Sequence, residues 1–409
     1  MKRVLTICLA ACLFACCLAG CSGKKATAPE VTATPTVAET PTLTPTEVPS
    51  PTPTEAPKPP EVFLKDIFAE HGMKFGTCLT TQMSGNANWS ELILKHFSSV
   101  TMENAMKPDY ILNRDKSIEK KDLVVEFNSD MIAMLDWAKA NNMAVRGHTL
   151  VWYSQTPQWI FYDNFDQNTG KLVTREVMLK RMESYIKQVF TKLQEAGYAD
   201  LFYAYDVVNE AWMEDGTMRK EYNNWYNIIG EDYIWHAFNF AKKYAPANIA
   251  LFYNDYNEQF KTATLESFVK TLVDKDGNYL IDGIGLQAHL YTEDSLTEYF
   301  KMVDRLAELG LKIEITELDV GLGRWQHIQK ANDDTLATQG RFYYNLVEGI
   351  LQRKDAGTLN IDSLTVWGVT DGRSWRKEYS PLLFDASFGK KPAFYGVAQL
   401  KDFAGFLSK

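Results

Sequence analysis

Two glutamates, Glu210 in YDVVNEAW and Glu317 in KIEITELDV, each close a run that reads as a buried β-strand. Such strands favour Val, Ile, Tyr and Phe, and an ionised carboxylate at the end of one costs free energy unless it is paired or performs chemistry. Two acids of this kind, far apart in sequence and alike in local context, point to the carboxylate pair of a glycosidase. One carboxyl would protonate a leaving oxygen while the other attacks the anomeric carbon, which for a retaining reaction requires about 5 Å between them. Glu210 would then have to keep its proton near neutrality, as burial and the negative charge of Glu317 favour.

Elements able to hold such a pair are legible along residues 61–409. Short apolar runs at 75–80, 98–102, 144–150, 203–208, 249–253, 283–287, 312–316 and 364–369 alternate with amphipathic stretches such as 128–141, 175–193, 232–244, 295–309 and 335–352. In the latter, apolar residues recur every three or four positions, the period of a helix with one buried face. Strand and helix alternating eight times predict parallel strands closed into an α/β (β/α)8 TIM barrel. An open doubly wound sheet would call for a glycine-rich phosphate loop after the first strand, and none is present. In a barrel the reaction centre belongs at the carboxyl ends of the strands, and strands four and seven lie nearly opposite each other. Polar residues gather at those ends: Glu103, Asn104 and Lys107, then His148 and Trp152, then Asn209, and further along Gln287, His289, Asp319, Trp367 and Trp375.

The termini and composition narrow the setting. Lys2 and Arg3, an apolar core over 4–14 and Leu18-Ala19-Gly20-Cys21 read as a removable leader at 1–20, too short and too poorly flanked for a stable membrane span. The small residues before Cys21 resemble a lipobox, which implies cleavage there and acylation of the Cys21 sulfur. Residues 21–60 form a Pro/Thr-rich linker, with ETPTLTPTEVPSPTPTEAPKPP over 39–60, unable to bury apolar area and biased to an extended polyproline conformation. At roughly 3.1 Å per residue it would hold a domain on the order of 100 Å from a membrane. Once the leader is removed, Cys21 and Cys78 remain, so no intramolecular disulfide is expected and stability must come from a large core. The formal charge of −9 disfavours nucleic acid and anionic lipid as partners. The chain reads as an exported monomer, lipid-anchored at a bacterial cell surface, with no cofactor and no metal. Asp274 to Asn278 has a calcium-loop look, but its glycine comes too early and no glutamate follows at the twelfth place, so a turn is expected. Neither HExxH nor GxSxG occurs.

With these pieces in order, TMENAMKPD, RGHTLVWYSQTPQW, DVVNEAW, NDYN, GLQAHL, ITELDV and VWGVTDGRSW resemble the family 10 glycoside hydrolases, chiefly endo-1,4-β-xylanases, across the whole domain. The resemblance implies Glu210 as acid/base, Glu317 as nucleophile and Asn209 as the partner of the sugar 2-hydroxyl. It also implies glycone-side binding by Glu103, Asn104, Lys107, His148, Trp152 and Gln155, and walls from Trp367 and Trp375. Tyr256 reads equally as a stacking surface on the leaving-group side or as core. His289 is placed to hold Glu317 ionised, with Asp319 behind it, and Gln287 belongs to the same strand end. Tyr153 stands where the family usually carries a histidine. A Glu103–Lys107 pair at i,i+4 would otherwise be a surface contact worth a few tenths of a kcal/mol. Two other readings use the same residues: a non-catalytic glycan-binding barrel, and a hydrolase acting on cellulose or mixed-linkage glucan.

Overall fold

In the computed structural model, which describes residues 58–324 and 326–406, the eight expected runs form one parallel sheet that closes on itself. Its strands are β1 (Lys74–Leu79), β2 (Ser99–Met102), β3 (Ala144–Trp152), β4 (Phe202–Asn209), β5 (Ala250–Asp255), β6 (Gly283–Leu286), β7 (Lys312–Gly321) and β8 (Ser363–Val366). Neighbours pair in chain order, and β8 pairs with both β1 and β7, so no edge is left exposed. The expected (β/α)8 barrel is the architecture found. The calls on the leader at 1–20, on Cys21 and on most of the linker lie outside the described residues.

The outer helices follow from the pattern that announced them. Arg175–Glu195 starts on Thr174, whose hydroxyl accepts from Val177 N, and buries Met178, Met182, Tyr185, Ile186, Val189, Phe190 and Leu193 along one face. Leu296–Ala307 is capped by Ser295 and buries Tyr299, Met302, Val303 and Leu306. Asp333–Asp355 opens with a capping box between Asn332 and Thr335. Each cap satisfies amide donors that a helix cannot satisfy internally. Asp274 to Asn278 is a turn, in which the Asp274 carboxylate accepts from Asp276 N and Asn278 N.

Three strands run at least two residues further than their composition predicts. β3 continues to Trp152, β5 to Asp255, and β7 five residues beyond 316, so Glu317 and Asp319 lie inside a strand instead of after it. For β7 the cause is a short strand, His289–Tyr291, that pairs in parallel with residues 319–321 and supplies hydrogen-bond partners above the barrel rim. The local sequence of β7 carries no sign of that neighbour.

The barrel interior holds a charged cluster. Arg146 is 1% exposed and pairs with Asp206 at 2.5 Å and with Glu314. A buried cation of this kind is tolerable only when its charge is matched and its donors are engaged. Asp206 also meets His148 Nδ1 at 2.9 Å, so this cluster fixes the ring of one candidate site residue. Close packing beside this cluster leaves Gly285 no room for a side chain: a β-carbon there would lie 2.4 Å from Asn254 Oδ1, 2.9 Å from Thr316 Cγ2 and 3.2 Å from an Arg146 nitrogen.

Candidate active site

Glu210 follows the last residue of β4 with φ of 54°, a left-handed conformation that costs a side-chain-bearing residue roughly 1 to 3 kcal/mol. Neighbouring groups hold it there. Its N–H donates to Asn254 O at 2.9 Å, its carbonyl accepts from Arg219 Nε at 3.1 Å, and the next amide, Ala211 N, donates to Tyr253 Oη at 3.0 Å. This backbone turns the side chain over the barrel mouth. There Oε1 accepts from Gln287 Nε2 at 3.0 Å and from Asn209 Nδ2 at 3.2 Å, while Oε2 accepts from Trp152 Nε1 at 3.2 Å.

Glu317 is nearly buried within β7, and Asn254 Nδ2 donates to its Oε1 at 2.8 Å. The same Asn254 amide donates to Asn209 Oδ1 at 2.9 Å. Asn254 and Asn209 therefore link the two glutamates through three hydrogen bonds of 2.8, 2.9 and 3.2 Å, and the two carboxylates face one cleft. On its other side Glu317 Oε2 lies 3.3 Å from His289 Nε2, and His289 Nδ1 lies 3.1 Å from Asp319 Oδ2. Asp319 is wholly buried, paired with Arg376, and accepts from Trp375 Nε1 at 3.2 Å.

These environments push the two acids apart. Glu210 is raised above the ordinary carboxyl range by burial and by the negative charges of Asp255 and Glu317, against the opposing hydrogen bond from Gln287. Burial is the largest single influence on Glu317 and would raise it, but the hydrogen bond and charge of His289, the charge of His148 and the hydrogen bond from Asn254 together outweigh burial and hold it below that range. Burial disfavours the cationic form of His289, yet the Asp319 and Glu317 carboxylates push it up to about 10. The arrangement thus sets apart one carboxyl that holds its proton more firmly, one carboxylate that gives it up more readily and, at neutral pH, an imidazolium beside the latter.

The cleft encloses about 510 Å³ and gathers every expected site residue among the described ones except Asp319, which sits behind His289. Lys107, 6% exposed, donates to Gln155 Oε1 at 2.7 Å and Asn104 Oδ1 at 3.1 Å, and lies 4.9 Å over the Trp152 ring. The i,i+4 surface pair with Glu103 is thereby replaced by a preorganised polar corner. Trp367 packs edge-on against His148, whereas Trp375 is 58% exposed with its edge toward His289, so Trp375 is no part of a core. Tyr256 lines the cleft and accepts from Arg219 Nη2 at 2.9 Å.

Several residues that build the site carried no clear signal in the sequence. Arg219 stacks 4.2 Å from the Tyr153 ring while bonding Tyr256 and the Glu210 carbonyl, so it joins three walls beside the acid. Glu258, buried, accepts from Gln287 N at 2.7 Å, and burial pushes its carboxyl up to about 8. Arg376 and Tyr291 line the cleft next to Trp375. The charge inside the apolar strand YDVVNE was the one available hint to Asp206.

Fold and cleft together define a parallel (β/α)8 barrel with a paired-carboxylate site at its strand ends. The family model for glycosyl hydrolase family 10 matches residues 63–400. Endo-1,4-beta-xylanase Y of Acetivibrio thermocellus is 35% identical over 359 residues, covering 82% of this chain and 32% of that relative. Endo-1,4-beta-xylanase B of Butyrivibrio fibrisolvens is 37% identical over 321 residues, covering 75% and 48% respectively. The chain thus spans about a third and about a half of the length of these two relatives. The solved CBM22-1 and GH10 modules of Clostridium thermocellum endo-1,4-beta-D-xylanase 10B, complexed with xylohexaose, match with a TM-score of 0.74 and 33% identity over 85% of this chain and 69% of that one. The chain belongs to glycosyl hydrolase family 10.

Proposed function

We propose that this protein is a retaining endo-1,4-β-xylanase, with Glu210 as acid/base and Glu317 as nucleophile. The observation that carries the reading is the pair of cleft carboxylates, linked through Asn209 and Asn254 and shifted in opposite directions by their surroundings. A neutral acid and an ionised nucleophile facing one site are what double displacement at an acetal needs. Glu317 attacks the anomeric carbon as Glu210 gives its proton to the departing oxygen; the roles then reverse as Glu210 takes a proton from water and that water displaces Glu317. Asn209 and His289 assist by orienting the two acids. The names of the relatives and the xylohexaose held by the clostridial modules support xylan as the polymer. Release of reducing ends from xylan, with little or none from carboxymethyl cellulose, is the expected outcome of assays run side by side. A folded protein that binds xylan without cleaving it would overturn the enzyme reading, and equal rates on both polymers would overturn the substrate.

We further propose that Cys21 anchors the protein at the bacterial cell surface, on the strength of the apolar leader and the small residues before that cysteine. Cys21→Ala should move the protein from the membrane fraction to the medium; an unchanged distribution would refute the anchor.

A further inference from the structure

A second, smaller cavity of about 240 Å³ meets the cleft at Glu103, which lines both. Its other walls are Thr80, Gln82 and Met83 after β1, Trp89, and Arg373 from the loop after β8. The lining is of the kind that receives a sugar: an indole for the apolar C–H face of a ring, with an amide, a hydroxyl and a carboxylate for its hydroxyls. Trp89 is half-buried and held edge-on by Phe388 at 4.8 Å between ring centres.

Arg373 is what a neutral sugar would not require. The other cations around the cleft are engaged by the protein itself: Lys107 by Asn104 and Gln155, Arg219 by Tyr256 and the Glu210 carbonyl, Arg376 by Asp319. Arg373, exposed, uses its backbone N–H on Thr370 O at 3.0 Å, and among the described residues its guanidinium has no ion-pair or hydrogen-bond partner. Nor is it the counterion of Glu103, on which burial and the charge of Lys107 act. In a chain of net charge −9, a cation left unmatched inside a recess is a specific opening for an anion. The guanidinium fork suits a planar carboxylate, which it can bind through two parallel hydrogen bonds.

Resting on the xylanase reading, we infer that this recess is a side pocket for a uronic-acid branch of the polymer. Glu103 contacts the main-chain sugar from which the branch hangs, and Arg373 binds the carboxylate. At about 240 Å³ the cavity has room for a single ring, and Glu103 is the one residue its lining shares with that of the cleft, as a pocket for a branch requires.

The test compares full-length wild type and Arg373→Gln on linear xylohexaose, neutral arabinose-branched xylan and glucuronoxylan at low ionic strength. The expected result is a loss in kcat/KM of roughly three- to tenfold on glucuronoxylan alone, the size of effect a solvent-facing charged hydrogen bond produces. Added NaCl at about 0.5 M should bring wild type down toward the variant on that polymer, because exposed charges are screened. No change on any substrate, or the same loss on all three, would overturn the side pocket. Should wild type leave linear xylohexaose uncut, the xylanase reading itself fails. Calorimetric titration of a uronate-bearing and a neutral xylo-oligosaccharide of equal length then judges the recess separately: preference for the acidic ligand that vanishes in Arg373→Gln sustains it, and equal affinities overturn it.

Discussion

Replacing Glu317 with alanine should reduce hydrolysis of every substrate, polymeric xylan and activated aryl xylosides alike, by at least ~10⁴-fold, the scale on which loss of an enzyme nucleophile is felt. As the proposed nucleophile, Glu317 would form the bond to the anomeric carbon, so a better leaving group could not compensate for its absence. Its surroundings would survive the change: His289 remains beside Asp319, and Asp319 remains paired with Arg376. Folding is therefore expected to be little affected, and matching far-UV spectra with retained xylo-oligosaccharide binding would separate lost chemistry from lost structure. A Glu317→Ala protein that still cleaved aryl xylosides at a substantial fraction of the wild-type rate would remove Glu317 from the role of nucleophile.

Glu210→Ala is expected to behave differently on the two substrate types. Xylan leaves as an alkoxide unless it is protonated, so its cleavage should fall by roughly 10²- to 10⁴-fold, the usual worth of a positioned general acid. Aryl xylosides with a strongly acidic phenol need little protonation in the first step and should lose far less of that step. The pH profile supplies a second readout. With the proposed roles, the active form of the wild type has Glu317 ionised and Glu210 protonated. Activity should therefore fail on the acid side as Glu317 gains a proton and on the alkaline side as Glu210 loses one. The lowered Glu317 and raised Glu210 widen this window at both edges. In Glu210→Ala the alkaline limb should disappear while the acid limb stays. Equal losses on both substrates, or an unchanged alkaline limb, would contradict the assignment.

What the sequence disclosed and what it withheld divide along a physical line. Short apolar runs and a period of 3.6 are local properties, so the eight strands and the helices between them were legible, as were the polar residues at the strand ends. Contacts between distant elements were not. β7 runs on to Gly321 because His289–Tyr291 pairs with its end, a neighbour that nothing in KIEITELDV announces. Arg146, Asp206 and Glu314 lie on three different strands, and each alone reads as an anomaly in an apolar run; only their meeting inside the barrel satisfies them. Tyr153 showed itself as a departure from the family pattern, but its neighbours did not. In the fold it stacks under Arg219, which in turn holds the carbonyl of Glu210, so the departure falls beside the proposed acid. Trp375 illustrates the converse limit, since an exposed tryptophan and a core tryptophan are the same letter until the surface is known.

If Glu210 and Glu317 act on one sugar by two successive displacements, the anomeric configuration is kept. Proton NMR of the first product released from a xylo-oligosaccharide, recorded before mutarotation, reads that configuration. The β-anomer, the configuration of the bond that was cut, is the expected product; initial appearance of the α-anomer would mean a single displacement by water and would remove Glu317 as nucleophile.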